Sequence, residues 1–432
     1  MYKEPVIDLA TKIIRHSLVG FSGKFRFDRP KTFKFPDIDK SGIYVHVPFC
    51  KQLCPFCPYN KIAYDENIAD QYLSAVLKEI EYYGRQFQNF EITSVYFGGG
   101  TPTVLAKGLE KIIESLRVNF NITGPFCIET NPADLSLEKV RLLKATGIEA
   151  LSLGVQSFNQ KLLEIIGRNY SRETIFKALD WLGKSGISNV NIDLLFALPE
   201  QELKNIEEDL KTAISIFANQ ITTYPLFTFP YSTIGKYRKL KAVEMPPLKL
   251  RKQMYYFIHD YLLNQGFKRV SVWSFKKEDE RHRYSSVTRE RYIGFGPGAG
   301  SYFESSFTLN TFSVTEYINS IKQSGQAIAL EMPFSRPLSI YYDLYWRIYD
   351  TMIPKTRNLN KCTYKLDELS IIKFFIFFSK KYGLIIENKD HYSMTRNGAF
   401  WIHLMQNYFS LRYINKIWTT AMQKAWPQSI KF

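Results

Sequence analysis

Cys50-Lys-Gln-Leu-Cys54-Pro-Phe-Cys57 gathers three of the chain's five cysteines into one short stretch. Thiolates at this spacing, on a loop directly after an apolar strand-like run, can each take one iron of a cubane 4Fe-4S cluster. An electron-transfer cluster uses four protein thiolates, so three leave one iron open for an exchangeable ligand. Zinc would need a fourth Cys or His nearby, and His46 is the only local candidate. Cys127 and Cys362 stand alone and read as buried structural thiols.

Further polar residues fall where strands should end. Gly98-Gly99-Gly100-Thr101 follows a strand-like run, and its glycines let the backbone approach a ligand closely with free N–H groups. Glu129, Gln156 and Asp193 each lie at or near the end of a predicted strand. Arg168 carries a planar fork that can pair with a carboxylate. Ordinary tight turns and satisfied strand-end polar groups would produce the same residues one at a time.

The elements that must position them follow a βα alternation. Strands are expected at Ile43–Val47, Ser94–Phe97, Phe126–Thr130, Ala150–Gln156, Val190–Ala197 and Ile221–Phe227. Between them, Ile68, Tyr72, Leu73, Val76, Leu77 and Ile80 share one helical face, as do Leu109, Ile112, Ile113 and Leu116. Such alternation implies an α/β fold with a parallel sheet, doubly wound or curved into a barrel, and a site at the C-terminal ends of the strands. Beyond Pro230 the spacing predicts a helix over Leu248–Asn264, a strand over Arg269–Phe275 and a glycine-rich segment from Tyr292 to Phe303. An aromatic-heavy region from about residue 335 to 432 reads as helix, hairpin and helix, a winged-helix-like lid.

Composition narrows the class. With 432 residues, 45% hydrophobic and 23% charged, the chain can bury a large core and is not of the disordered type. No apolar run approaches a membrane span, and the first 20 residues are too interrupted by charge for a secretory signal, so the cytoplasm is expected. The formal charge is +16. Two basic stretches, Lys236 to Lys252 and Lys268 to Arg291, could be solvated surface, a docking face for an acidic flavodoxin or ferredoxin, or a grip on an anionic small-molecule substrate. Without a recognised binding module, nucleic acid is not expected as a partner.

The run Tyr44-Val-His-Val-Pro-Phe-Cys50 with its three cysteines resembles the radical S-adenosylmethionine superfamily. Tyr96 to Thr103, Glu129-Thr-Asn131-Pro132, Leu153 to Phe158, Gly167-Arg168 and Asn191-Ile-Asp193-Leu, in that order, resemble its oxygen-independent coproporphyrinogen III oxidase-like branch. The resemblance implies a partial (β/α)6 barrel over residues 42–325 with its C-terminal extension, an N-terminal extension over 1–41, and a substrate-covering domain over 335–432. It implies a 4Fe-4S cluster on Cys50, Cys54 and Cys57, and contacts to S-adenosylmethionine from Tyr44, Phe56, Gly99, Gly100, Thr101, Glu129, Gln156, Arg168 and Asp193. The reaction it implies is reductive cleavage of S-adenosylmethionine to a 5′-deoxyadenosyl radical that abstracts hydrogen.

Two departures bear on the narrower reaction. The oxidase carries a fourth cysteine two residues after the third, where this chain has Tyr59, although Asn60-Lys61 is kept. The segment Trp273 to Arg289 is similar to oxidase-like relatives that methylate or form cyclopropanes with two molecules of S-adenosylmethionine, one cleaved to a radical and one supplying carbon, which implies that this chain could hold two. Radical methylation or cyclopropanation is therefore the first expectation, coproporphyrinogen III oxidation the second, and a non-enzymatic haem chaperone the third.

Overall fold

A computed structural model describes residues 25–36, 38–87, 90–233, 244–278, 290–359, 362–366 and 370–432. After a short strand β1 (Arg26–Asp28), six strands alternate with helices: β2 (Lys40–Val47), β3 (Glu91–Gly99), β4 (Phe126–Thr130), β5 (Ile148–Gln156), β6 (Asn189–Phe196) and β7 (Gln220–Pro225). They pair side by side in parallel, each with the next in sequence, which is the partial (β/α)6 barrel. Each expected strand lies on one of these, with ends shifted by a few residues.

Side-chain alternation sorts the strands into two faces. Val45, Val47, Phe97, Ile128, Leu151, Leu153 and Ile192 are fully buried in the main core beside helices α1 (Glu66–Gln86) and α2 (Ala106–Asn119) and their successors. On the other face, Tyr44, Tyr96, Cys127 and Ala150 form a small separate cluster inside the barrel. The register places Tyr44 opposite Tyr96 and Tyr96 opposite Cys127, so this cluster is one layer of the interior. Asp65 starts α1 by accepting from the Ile68 N–H at 2.9 Å.

Past β7 the chain enters α3 (Leu248–Asn264), then β8 (Phe267–Arg269) and β9 (Ser274–Lys277). The single strand expected over Arg269–Phe275 is instead this pair of antiparallel strands. The Ser274 N–H donates to Ser271 Oγ at 3.1 Å and the Val272 N–H to Tyr349 O at 3.0 Å, so a turn interrupts the apolar run. Parts of the basic stretches, residues 236–243 and 279–289, lie outside the described residues.

An antiparallel extension follows: β10 (Tyr292–Phe295) pairs in parallel with β2, then β11 (Gly300–Tyr302), β12 (Ser306–Asn310) and β13 (Ile328–Pro333) continue outward. The C-terminal region comprises α4 (Arg336–Tyr349), α5 (Ser370–Lys381), α6 (Arg396–Gln423) and a small sheet of β14 (Met352–Pro354), β15 (Ile385–Glu387) and β16 (His391–Met394). This is the helix-and-wing arrangement expected. Two strands tie the extremes together, since β17 (Ser429–Lys431) pairs with β1, which pairs with β13.

Candidate active site

The cysteine loop leaves β2 at the open end of the barrel. Gly100 N donates to Val47 O and Thr101 N to Phe49 O, both at 2.8 Å, which straps the glycine run to the start of the loop. A Cβ on Gly100 would stand 2.5 Å from Phe49 O, so only glycine permits this contact. Gly99 has φ +111°, and a Cβ there would lie 2.7 Å from the His46 ring. The Gly99 N–H serves the Glu129 carboxylate. The amides of this run are thus committed within the protein, contrary to the expectation that they stand free for a ligand. Gly99, Gly100 and Thr101 remain beside the loop through their backbone and, for Thr101, through its hydroxyl.

That hydroxyl donates to Cys50 Sγ at 3.6 Å. Burial pushes the Cys50 thiol up to about 11, against the Thr101 bond, with Cys57 and Cys54 close enough to add to the rise. Cys54 is raised by burial as well, while Arg168 and Lys61 oppose it. Among the described residues no three His, Cys, Asp or Glu side chains converge on one point as around a single ion. A cluster that takes one thiolate per iron asks for sulfurs spaced around it, and three mutually interacting thiols fit that need.

His46 does not join them. Its Nε2 lies 2.8 Å from Asn60 O and its Nδ1 2.9 Å from the Tyr44 hydroxyl, so both nitrogens are occupied. A carbonyl only accepts, so Nε2 carries the hydrogen and Nδ1 accepts from Tyr44. Burial lowers its pKa to about 4. Tyr44 is therefore held in the barrel wall, with its ring 6.1 Å from that of Tyr96. Asn60 goes on to donate to Pro297 O at 3.2 Å and Phe312 O at 2.9 Å, clamping the far end of the loop to the glycine-rich segment. Lys61 closes back on Cys57 O at 2.8 Å.

On the opposite rim, Gln52 donates to Gly167 O at 2.9 Å. The Arg168 guanidinium lies between the rings of Phe56 and Tyr170, 5.5 Å and 5.6 Å from their centroids. Its Nε is buried without a hydrogen-bond partner among the described residues. Gln156 ends β5 at φ +73°, a strained conformation for a side-chain-bearing residue and one that clusters at ligand sites.

Inside the mouth, Glu129 accepts from the Tyr96 hydroxyl, and burial with Asp193 nearby raises its pKa to about 7. Asp193 accepts from Ser152 Oγ at 2.7 Å and Asn191 Nδ2 at 2.8 Å, and burial raises it to about 6. Thr222 continues the chain by donating to Asn191 Oδ1 at 2.8 Å. Ser152 was not singled out in the sequence, and Asn191 appeared there only within the Asn191-Ile-Asp193-Leu motif, with no role of its own. Asn191 and Asp193 occupy alternate positions of β6, which is the signal that would have paired them.

Tyr59 keeps 51% of its surface accessible, yet its phenol is held well above the ordinary range by desolvation, then by Glu129, Cys57, Tyr349 and Asp193. It lies close to those groups. Aromatic rings of the C-terminal region meet rings that follow the barrel strands. Tyr231 lies 6.2 Å from Trp418, and Trp273 lies 4.8 Å from His403, which is 5.6 Å from Tyr349. Gln406 donates to Tyr345 O at 2.8 Å, which turns its own oxygen to His403 Nδ1 at 3.1 Å. His403 Nδ1 is then the protonated nitrogen, and Nε2 is a buried acceptor with no partner among the described residues, as Trp273 Nε1 is a donor with none. Both line a cavity with Phe196 and Pro225, at the C-terminal ends of β6 and β7.

Comparison with known proteins agrees with this geometry. Residues 44–213 match the Radical SAM superfamily. The chain is 31% identical over 288 residues to the haem chaperone HemW of Bacillus subtilis (strain 168), covering 65% of this chain and 76% of that one. It is 26% identical over 355 residues to the oxygen-independent coproporphyrinogen III oxidase of Escherichia coli (strain K12), covering 77% and 78%. A solved structure of coproporphyrinogen III oxidase (HemN) from Escherichia coli superposes with TM-score 0.71 at 23% identity, over 89% of this chain and 94% of that one. A 4Fe-4S cluster and S-adenosylmethionine are the cofactors of this superfamily. The chain belongs to the radical SAM superfamily, in the branch that holds oxygen-independent coproporphyrinogen III oxidase and HemW.

Proposed function

We propose that Cys50, Cys54 and Cys57 hold the cluster and that S-adenosylmethionine lies across the mouth between Gly99–Thr101, Glu129, Gln156, Arg168 and Asp193. The cluster, when bound, supplies the electron that cleaves S-adenosylmethionine. Arg168, with its buried and unpartnered Nε, suits the methionine carboxylate. Glu129 and Asp193, on β4 and β6 with β5 between them, suit hydroxyl or ammonium donors. Phe56 and Tyr44 confine the ligand through their rings, Phe56 beneath Arg168 and Tyr44 at the barrel wall.

We infer a substrate held under the C-terminal region. The observation that carries this is the approach of aromatic residues to the cysteine loop, Tyr349 beside Tyr59 and Tyr231 beside Cys57. Rings from Tyr231, Trp418, Tyr349 and Trp273 suit a flat unsaturated substrate, and a tetrapyrrole is the class that the names of both groups of relatives share. The relatives reported above do not support methylation or cyclopropanation, which rests on Tyr59 and on a segment largely outside the described residues. Coproporphyrinogen III oxidation is thus the narrower proposal. Flavodoxin or ferredoxin is the proposed reductant.

Anaerobic reconstitution followed by dithionite, S-adenosylmethionine and coproporphyrinogen III tests it by mass spectrometry. Release of carbon dioxide with 5′-deoxyadenosine supports oxidation. Accumulation of S-adenosylhomocysteine with the porphyrinogen intact restores methyl chemistry. Tight haemin binding with no cleavage of S-adenosylmethionine favours the chaperone.

A further inference from the structure

Helix α5 reads Ser-Ile-Ile-Lys-Phe-Phe-Ile-Phe-Phe-Ser-Lys-Lys over Ser370–Lys381. One face does ordinary work: Ile372 is buried in the core of the C-terminal region, with Phe375 and Ile376 packed on it. The other face is also apolar and covered by nothing in the described chain. Phe374 and Phe377 are 67% and 66% exposed, and Phe378 and Tyr382 are exposed beside them. Phe374 stacks on Phe378 at 6.3 Å and Phe378 on Tyr382 at 4.4 Å, so the rings form one continuous stripe.

The rim of the stripe is cationic. Lys373, Lys380 and Lys381, on the same helix, are all exposed. Glu387 accepts from Lys355 at 2.7 Å and from Lys380, while Lys373 and Lys381 pair with no carboxylate of the described residues. A stripe of exposed rings edged with lysine is the composition of a helix lying in the plane of an anionic bilayer surface. It is a poor composition for self-association, because a two-fold interface lays a patch on its own copy and would bring the lysines of both copies together. Lysine is also depleted at protein interfaces.

We propose that the exposed face of α5 forms a peripheral docking surface for anionic lipid. Phe374, Phe377 and Phe378 enter the headgroup boundary, and Lys373 and Lys381 meet the lipid phosphates. The helix lies on the bilayer and does not cross it, in keeping with the absence among the described residues of any helix long and apolar enough to span. This docking is independent of the reaction proposed above.

Flotation of the full-length reconstituted protein with vesicles of phosphatidylglycerol and phosphatidylcholine, and with phosphatidylcholine alone, tests it. The parent protein is expected to float with the anionic vesicles only. F374S/F377S should abolish flotation without lowering the melting temperature, since both rings are exposed. K373Q/K381Q should weaken binding by roughly thirtyfold, at about 1 kcal/mol per lysine near the surface. A parent that stays unbound, equal binding to both vesicle types, or variants that bind like the parent would overturn the proposal. So would sedimentation showing a parent dimer that F374S/F377S converts to monomer, which would assign the face to a second copy.

Discussion

His46 donates from Nε2 to the carbonyl of Asn60 at 2.8 Å, spanning the whole cysteine loop from strand to far end. The imidazole is neutral, its charged form disfavoured by burial, and it fills the space that Gly99 leaves open. Asn60 carries the tie onward to the glycine-rich segment, so the loop is fixed at both ends before any cofactor binds.

Asn60→Ala removes two buried hydrogen bonds and leaves the Pro297 and Phe312 carbonyls without this donor. A loss of about 2–3 kcal/mol is expected. Chemical denaturation of the protein without cofactor measures it, and cluster retention after reconstitution should fall in parallel.

Gly99→Ala places a side chain at φ +111° and 2.7 Å from the His46 ring. Strain of this kind costs on the order of 1–3 kcal/mol, before the ring is displaced. The melting temperature should drop by several degrees. A variant as stable as the parent would show that the turn relaxes freely.

Glu79 on α1 offers a pH signature away from the site. Its carboxylate accepts from Gly296 N at 2.9 Å, Asn310 Nδ2 at 2.9 Å and the Tyr317 hydroxyl at 2.6 Å, yet burial raises its pKa from 4.5 to about 7. The folded state then binds a proton more tightly than the unfolded one. This contribution to stability is present below about pH 4.5 and is lost as pH rises to about 7. Glu79→Gln should flatten that part of the stability profile relative to the parent, by an amount on the order of 3 kcal/mol. Parallel profiles for the two proteins would contradict the assignment.

His403→Leu tests whether this side chain reaches the substrate. It removes the unpartnered Nε2 but also the donor to the buried Gln406 Oε1, so a stability loss of about 1–2 kcal/mol is expected. Substrate-dependent formation of 5′-deoxyadenosine should fall by roughly tenfold, as for the loss of about 1.4 kcal/mol of binding. Undiminished turnover would remove His403 from the substrate space.

Much of this was legible in the sequence for a physical reason. The barrel strands are buried on both faces and flanked by amphipathic helices, so their apolar runs and the helical spacing stand out locally, and Cys50, Glu129, Gln156 and Asp193 follow at their ends. Contacts between distant segments carry no such local signal. β1 and β17 are three residues each and exist because they pair with each other across nearly the whole chain. His46 offered itself as a metal ligand, and only the positions of Tyr44 and Asn60 show that its nitrogens are taken. The turn at Ser271 was hidden within Arg269–Phe275 because its flanking residues are apolar. The free amides expected of Gly99 and Gly100 are spent on Glu129 and Val47, partners fixed by strand register.

The most direct test of the central claim compares the parent with Cys50→Ala, Cys54→Ala and Cys57→Ala after anaerobic reconstitution. Iron, sulfide and visible absorption are measured, then 5′-deoxyadenosine after dithionite and S-adenosylmethionine. A cluster and 5′-deoxyadenosine are expected in the parent, and the loss of both in each variant. A variant that keeps its full cluster and forms 5′-deoxyadenosine as the parent does would contradict it.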